Sequence, residues 1–202
     1  INFNQTYIKI KIAEDGWYRL TANELQQAGF PISTVSAAQM QLYRRGQEVA
    51  IQTTILEGSA ILNYLEFWGE KNTGLFDSEL YEGSIQPHTY YNLFTDTATY
   101  FLTWDNTTNH LRIPTNTQND NSGLTPTTSH HETEGTLQVN EYATGRFFGG
   151  SGGDFQLSSY DGGEGWTGGR VQKGASQDFN FVMSDLVVAN DTPNVEIIAI
   201  GR

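Results

Sequence analysis

Residues 64–104 read YLEFWGEKNTGLFDSELYEGSIQPHTYYNLFTDTATYFLTW. An aromatic-rich run opens the stretch, a loop of Gly, Asn and Asp interrupts it, and a second aromatic-rich run closes it. Runs rich in Tyr, Phe, Trp, Thr and Leu between turn residues are the strand signal, and large aromatics on two such strands supply much of a core. The stretch therefore predicts the central strands of a β-rich unit, with the NTG loop (72–74) and the TDT turn (95–97) fixing their ends. Its Glu66 and Trp68 are candidate ligand contacts, a carboxylate two positions from an indole.

Towards the amino terminus, YIKIKI (7–12) alternates apolar and basic residues, the pattern of a half-buried strand. Asp15-Gly16 is a turn signal, so Trp17–Leu20 is expected to return as the second strand of a hairpin. Thr21 stands three residues before Glu24, the spacing of a capping box, and Gly29 can end the short helix this starts. QMQLYRRGQEVAIQTT (39–54) reads as a second hairpin across Arg45-Gly46. Residues 61–68 alternate imperfectly, which implies burial on both faces; 76–81 is a helical turn or an irregular loop; a strand begins at Ala98.

Beyond Trp104 the composition changes. Residues 105–136 are dense in Thr, Asn, Asp, Ser and Gly, a long loop or linker. Strand-like runs then resume at LQVNEY (137–142), DFQL (154–157), 178–182 and 195–200. The expected fold class is mostly β: two β-rich units, sandwich- or jelly-roll-like, with one short helix, over 1–107 and 136–202, joined by a polar linker at 108–135. No internal repeat is visible. A last strand that stops two residues before Arg202 would leave an edge unpaired, so the second unit is expected to be truncated.

The chain has 202 residues, 11 Lys and Arg against 23 Asp and Glu, and a formal net charge of -12. The acidity is spread evenly and repels phosphate backbones, and no basic cluster exceeds the pair Arg44-Arg45, which argues against nucleic acid as a partner. Cys is absent, which removes disulfides, thiolate metal sites and a cysteine nucleophile together, and fits an exported bacterial protein. The start at Ile1 without a basic-then-apolar leader predicts a processed or trimmed portion of a longer protein, and no apolar run is long enough for a membrane span.

Several motifs invite chemistry. His130-His131-Glu132 lacks the second His a zinc helix requires, because Gly135 stands in its place. Gly163, Gly165 and Gly168 satisfy the spacing of a dinucleotide loop, but no helical pattern follows. GGSGG (149–153) places Ser151 in the letters of a nucleophile elbow, yet the flanking residues read as a flexible turn. Carboxylate pairs for a glycosidase are available by number alone in so acidic a chain. The Asn/Asp loops 105–109 and 116–121 can offer hard oxygen ligands to Ca²⁺ without matching an EF-hand. Trp68 with Glu66, and Trp166 with Glu164, are the candidate ligand-binding residues, as sugar-stacking platforms beside carboxylates.

DGWYRLT (15–21), LYRRGQEV (42–49), LEFWGEKNTGLFD (65–77), TYYNLFTDTATYFLTW (89–104) and DGGEGWTG (161–168), in this order, resemble the N-terminal region of gingipain-family cysteine peptidases. The nearest likeness is to the sortase-like branch of the type IX secretion system of Bacteroidetes. The resemblance implies an exported cell-envelope protein, in the periplasm, outer membrane or at the cell surface, whose N-terminal β-rich region precedes a separate catalytic domain. That chemistry needs a Cys paired with a His, so a chain without Cys inherits no catalytic residue and is not an enzyme by itself. What remains implied is an accessory role: packing on, restraining or docking for a downstream peptidase domain, or meeting secretion-system proteins. The competing expectations are an independent carbohydrate- or calcium-binding β-sandwich and a hydrolase acting through Ser151.

Overall fold

The computed structural model describes residues 2, 4–83, 85–115, 117, 120, 122–128, 139–144, 147–150, 153–156, 160–180 and 194–199. The chain is mostly β and forms two compact units, Ile1–Asn72 with Phe94–Asn119, and Thr73–Leu93 with Asp120–Arg202. This division differs from the contiguous one expected from composition. Residues 73–93 join the second unit because their 3₁₀-helix, Gly74–Tyr81, is hydrogen-bonded to 160–164, with the Tyr160 amide donating to Leu80 O and the Tyr81 hydroxyl to Glu164 O.

The first unit contains β1 (Ile8–Ile12), β2 (Gly16–Thr21), α1 (Ala22–Gln27), β3 (Met40–Arg44), β4 (Gln47–Val49), β5 (Gln52–Ile55), β6 (Leu62–Gly69) and β7 (Ala98–Trp104). Its two antiparallel sheets run in the orders β1-β7-β3-β4 and β2-β6-β5. The two aromatic-rich runs of the opening stretch are thus interior strands, one in each sheet. Ile12, Met40, Leu42, Tyr100 and Leu102 of the first sheet share one core with Leu62, Leu65 and Phe67 of the second. Phe67 meets Tyr100 at 5.4 Å between ring centroids. Helix α1 contributes Leu25, which lies in the same core with Phe30.

Local signals behave as local chemistry dictates. Thr21 caps α1 from a full capping box with Glu24. Gly29, at φ 88°, ends it in a Schellman arrangement: Gly29 N donates to Gln26 O and Phe30 N to Leu25 O. Arg45 and Gly46, with φ of 51° and 80°, make the two-residue turn that joins β3 to β4.

Three expectations are corrected. The hairpin expected across Asp15-Gly16 does not form: β1 pairs with β7 and β2 with β6, so the chain changes sheets at this corner. The Asp15 carboxylate accepts from Lys71 N at 2.7 Å, a long-range bond in place of a hairpin turn. The run 47–54 is likewise split, because β4 ends at Val49 and β5 pairs with β6 in the other sheet. The broken alternation of β6 comes from a bulge: Thr54 faces Tyr64 but Ile55 faces Leu62, so Leu62, Leu65 and Phe67 all point inward while Trp68 is exposed.

The loop and the turn of the opening stretch are tied to each other. Asn72 donates from its amide N to Asp96 O and from Nδ2 to Thr95 O and Thr97 O, holding together the points where residues 73–93 leave and rejoin the first unit. The polar run after β7 also begins as a strap on this unit. Ile51 bridges Arg112, and the Arg112 guanidinium donates to the carbonyls of Ala37, Ala38 and Met40.

In the second unit β8 (Glu141–Ala143) pairs with β11 (Gly165–Thr167), and β9 (Phe147–Gly150) with β10 (Gly153–Gln156). Of the further strands expected at 178–182 and 195–200, the described residues 178–180 and 195–199 form no strand.

Phe67→Ala is expected to lower the unfolding free energy of the first unit by about 3–5 kcal/mol, because it empties the space between the two central strands. Denaturant titration checks this; a loss below about 1 kcal/mol would mean that the Phe67–Tyr100 contact does not organise the core.

Candidate functional site

Alternation along β2 and β6 sends Tyr18, Leu20, Leu65 and Phe67 towards the core and leaves the residues between them on the outer face. The register pairs Trp17 with Trp68, Arg19 with Glu66, and Thr21 with Tyr64. Trp17 is 64% exposed and Trp68 45% exposed, and their rings stand edge to face with centroids 5.7 Å apart. The Arg19 guanidinium donates through Nε and Nη2 to Glu66 Oε1 at 2.9 and 2.8 Å and lies 4.2 Å from the centre of the Tyr64 ring. The Glu66 hydrogen bond raises Arg19 above its ordinary pKa. Both partners reach solvent, so the pair fixes side-chain direction more than it stabilises the fold.

Trp17 and Trp68 also border a cleft of about 290 Å³. Arg44 and Glu70 form an ion pair in it, Val49, Ala50 and Ile113 supply apolar wall, and Tyr100 completes the lining. Arg44 Nη2 donates to Lys71 O at 2.8 Å, and Tyr100 Oη accepts from Glu70 N at 2.9 Å. The polar pair is therefore held from behind by the backbone that follows β6.

The structure brings Trp68 and Glu66 together on one face, and places Glu164 and Trp166 in the second unit. Glu164 is only 6% exposed; its carboxylate accepts from Asp161 N at 3.1 Å and its carbonyl from the Tyr81 hydroxyl at 2.6 Å. Burial pushes Tyr81 up to about 12. Trp166 stacks edge-on against Tyr142 at 5.5 Å, donates to Leu93 O, and its own carbonyl is bonded by His88. Both residues hold the second unit together. The Gly163–Gly168 spacing belongs to a turn and to β11 rather than to a strand leading into a helix, so the anion-binding geometry is missing. His130-His131-Glu132 and Ser151 lie outside the described residues.

Sequence reading missed Trp17, Arg19, Arg44 and Glu70. The signal was present as a complementary pattern: W-x-R at 17–19 and E-x-W at 66–68 match residue for residue when two strands pair antiparallel.

A second polar cluster surrounds His110, whose side chain is 5% exposed. Its Nε2 is 3.1 Å from Asp105 Oδ1, its Nδ1 is 3.9 Å from Glu48 Oε1, and Gln41 Nε2 bonds both the ring and Asp105 Oδ2. Asp105 Oδ1 also accepts from the amide and hydroxyl of Thr107. Both oxygens of the one carboxylate in the 105–109 loop are thus engaged in holding the strap. Among the described residues no group of three or more His, Cys, Asp or Glu side chains is arranged to hold a metal ion, and no helix is long and apolar enough to cross a membrane.

Comparison with protein-family models, curated proteins and solved structures returns no match.

The Thr107 hydroxyl and amide, with Gln41 and His110 adding to them, hold Asp105 below the ordinary aspartate value of 3.8. A depressed carboxylate contributes stability that is fully present above its unfolded pKa and is lost as pH falls through its folded one. Asp105→Asn is therefore expected to give a shallower fall in Tm below about pH 4 than the parent chain shows. Melting curves across that range check it, and identical acid limbs would contradict it.

Proposed function

We propose that this chain is the non-catalytic N-terminal accessory region of an exported gingipain-like cysteine peptidase, acting as a folded platform on which a downstream catalytic domain packs or docks. The observation that carries the reading is where the resembling stretches fall. Residues 15–21 supply β2, 42–49 the β3–β4 hairpin, 65–77 most of β6, and 89–104 the whole of β7. Four of the five stretches thus supply framework strands of the first unit and the fifth, 161–168, supplies β11 of the second, while the nucleophile that such a peptidase needs is absent from all 202 residues. Side-chain chemistry at the exposed β2–β6 face consists of ion pairs and indole rings rather than an activated nucleophile. In this reading the protein works in the cell envelope, with the peptidase domain of the same polypeptide as its first partner and secretion-system proteins as further ones.

The coding sequence beyond Arg202 tests the proposal most directly. A downstream β/α domain with a Cys–His pair is expected, and that domain, produced separately, should form a stable one-to-one complex with this chain. A stop codon directly after Arg202, or no association between the two parts, overturns it.

A further inference from the structure

We infer that the cleft beside Trp17 and Trp68 is a binding site for a neutral hexose unit of a glycan. Three features of the cleft select that chemistry, and none depends on which enzyme the chain serves. The first is the aromatic pair. Trp17 and Trp68 occupy directly paired positions on β2 and β6, so the sheet backbone fixes their separation before any ligand arrives. Each residue is substantially exposed, the two rings stand edge to face, and both line the cleft. Pyranose rings carry a face of C–H groups that packs on such a surface, and a pre-positioned platform has little side-chain entropy left to lose.

The second feature is the polar side of the cleft. Glu70 offers an exposed carboxylate, and Arg44, largely buried beside it, is ion-paired with it and donates to Lys71 O. Adjacent sugar hydroxyls can donate to the two oxygens of such a carboxylate. The pair is electrically balanced, which leaves no uncompensated charge to select an ionic ligand. Anionic sugars face a further penalty from the chain's net charge of -12.

The third feature is size. A volume of about 290 Å³ lies at the lower end of the range of ligand pockets, roughly 300–1,000 Å³. It admits a single ring with its hydroxyls, whereas a helix or strand of a protein partner needs an extended groove.

The full chain titrated with mannohexaose, cellohexaose and β-1,4-galactotetraose, followed by tryptophan fluorescence and calorimetry, tests the inference, with heparin as the anionic comparison. At least one neutral oligosaccharide should bind with a change in tryptophan emission, and heparin should not compete. Trp17→Ala and Trp68→Ala should each weaken that binding about tenfold or more, and Trp68→Tyr should retain most of it. Both alanine variants should melt within a few degrees of the parent, because the side chains they remove lie at the surface. The inference is overturned if no neutral oligosaccharide binds at millimolar concentration, if heparin binds more tightly than all three, or if binding is unchanged in both alanine variants. It is equally overturned if the two variants instead abolish association with the downstream domain while none of the sugars binds, since the indoles would then serve a protein interface.

Discussion

The contact between Phe67 and Tyr100 joins the middle strands of two sheets, and the rest of the first unit is arranged around it. Each ring belongs to a strand flanked on both sides, so neither sheet can shift without moving the other. Tyr18 stacks on Phe67 from the neighbouring strand at 5.8 Å, which extends the aromatic layer to the edge of the second sheet. Side chains alternate strictly along a strand, and a slip of one residue would exchange the inner and outer sets. The exposed Trp17 and Trp68 are therefore positioned by the buried Tyr18 and Phe67 beside them. The surface site follows from the core through the pleat of two strands.

What could be read along the sequence was chemistry completed within a few residues. The capping box of Thr21 and Glu24 closes over three residues, and the Arg45-Gly46 turn needs only two positive φ angles. The strands of the opening stretch were legible because their aromatic content leaves them few other places to go. What escaped was partnership over distance. Asp15-Gly16 looks like a hairpin turn, yet Asp15 is engaged by Lys71 and the strands on either side of it enter different sheets. Trp68 and Glu66 stand out singly in the sequence, whereas their partners Trp17 and Arg19 become visible only once the two strands are paired. Trp166 and Glu164 show the converse. They have the same local look, but Tyr81 and Leu93, far away in sequence, turn them into structural supports.

The polar segment after β7 carries a related lesson. Its composition is that of a linker, and the first part of it is instead bound to the sandwich through Arg112 and through His110, whose ring meets Gln41 of β3. Its partners there are largely backbone carbonyls and neutral side chains, which a hydropathy pattern does not register. Burial lowers the pKa of Arg112, and three carbonyl acceptors make that burial tolerable.

The pairing of β1 with β7 has a consequence for the order in which the molecule can be made. Ile8 finds its partner in Leu102, so β1, once synthesised, must wait for the last strand of its unit. Chains grow at about 5–20 residues per second, which leaves the edge that β7 will cover open for several seconds. Pairing over so long a loop is also intrinsically slow, because the entropy of closure comes before the contacts that offset it. The β3–β4 hairpin and α1 can form early, but the sandwich closes only from its carboxyl side. Lys9 and Lys11, alternating with the isoleucines of β1, keep that waiting strand charged on one face and less prone to pair with the wrong chain.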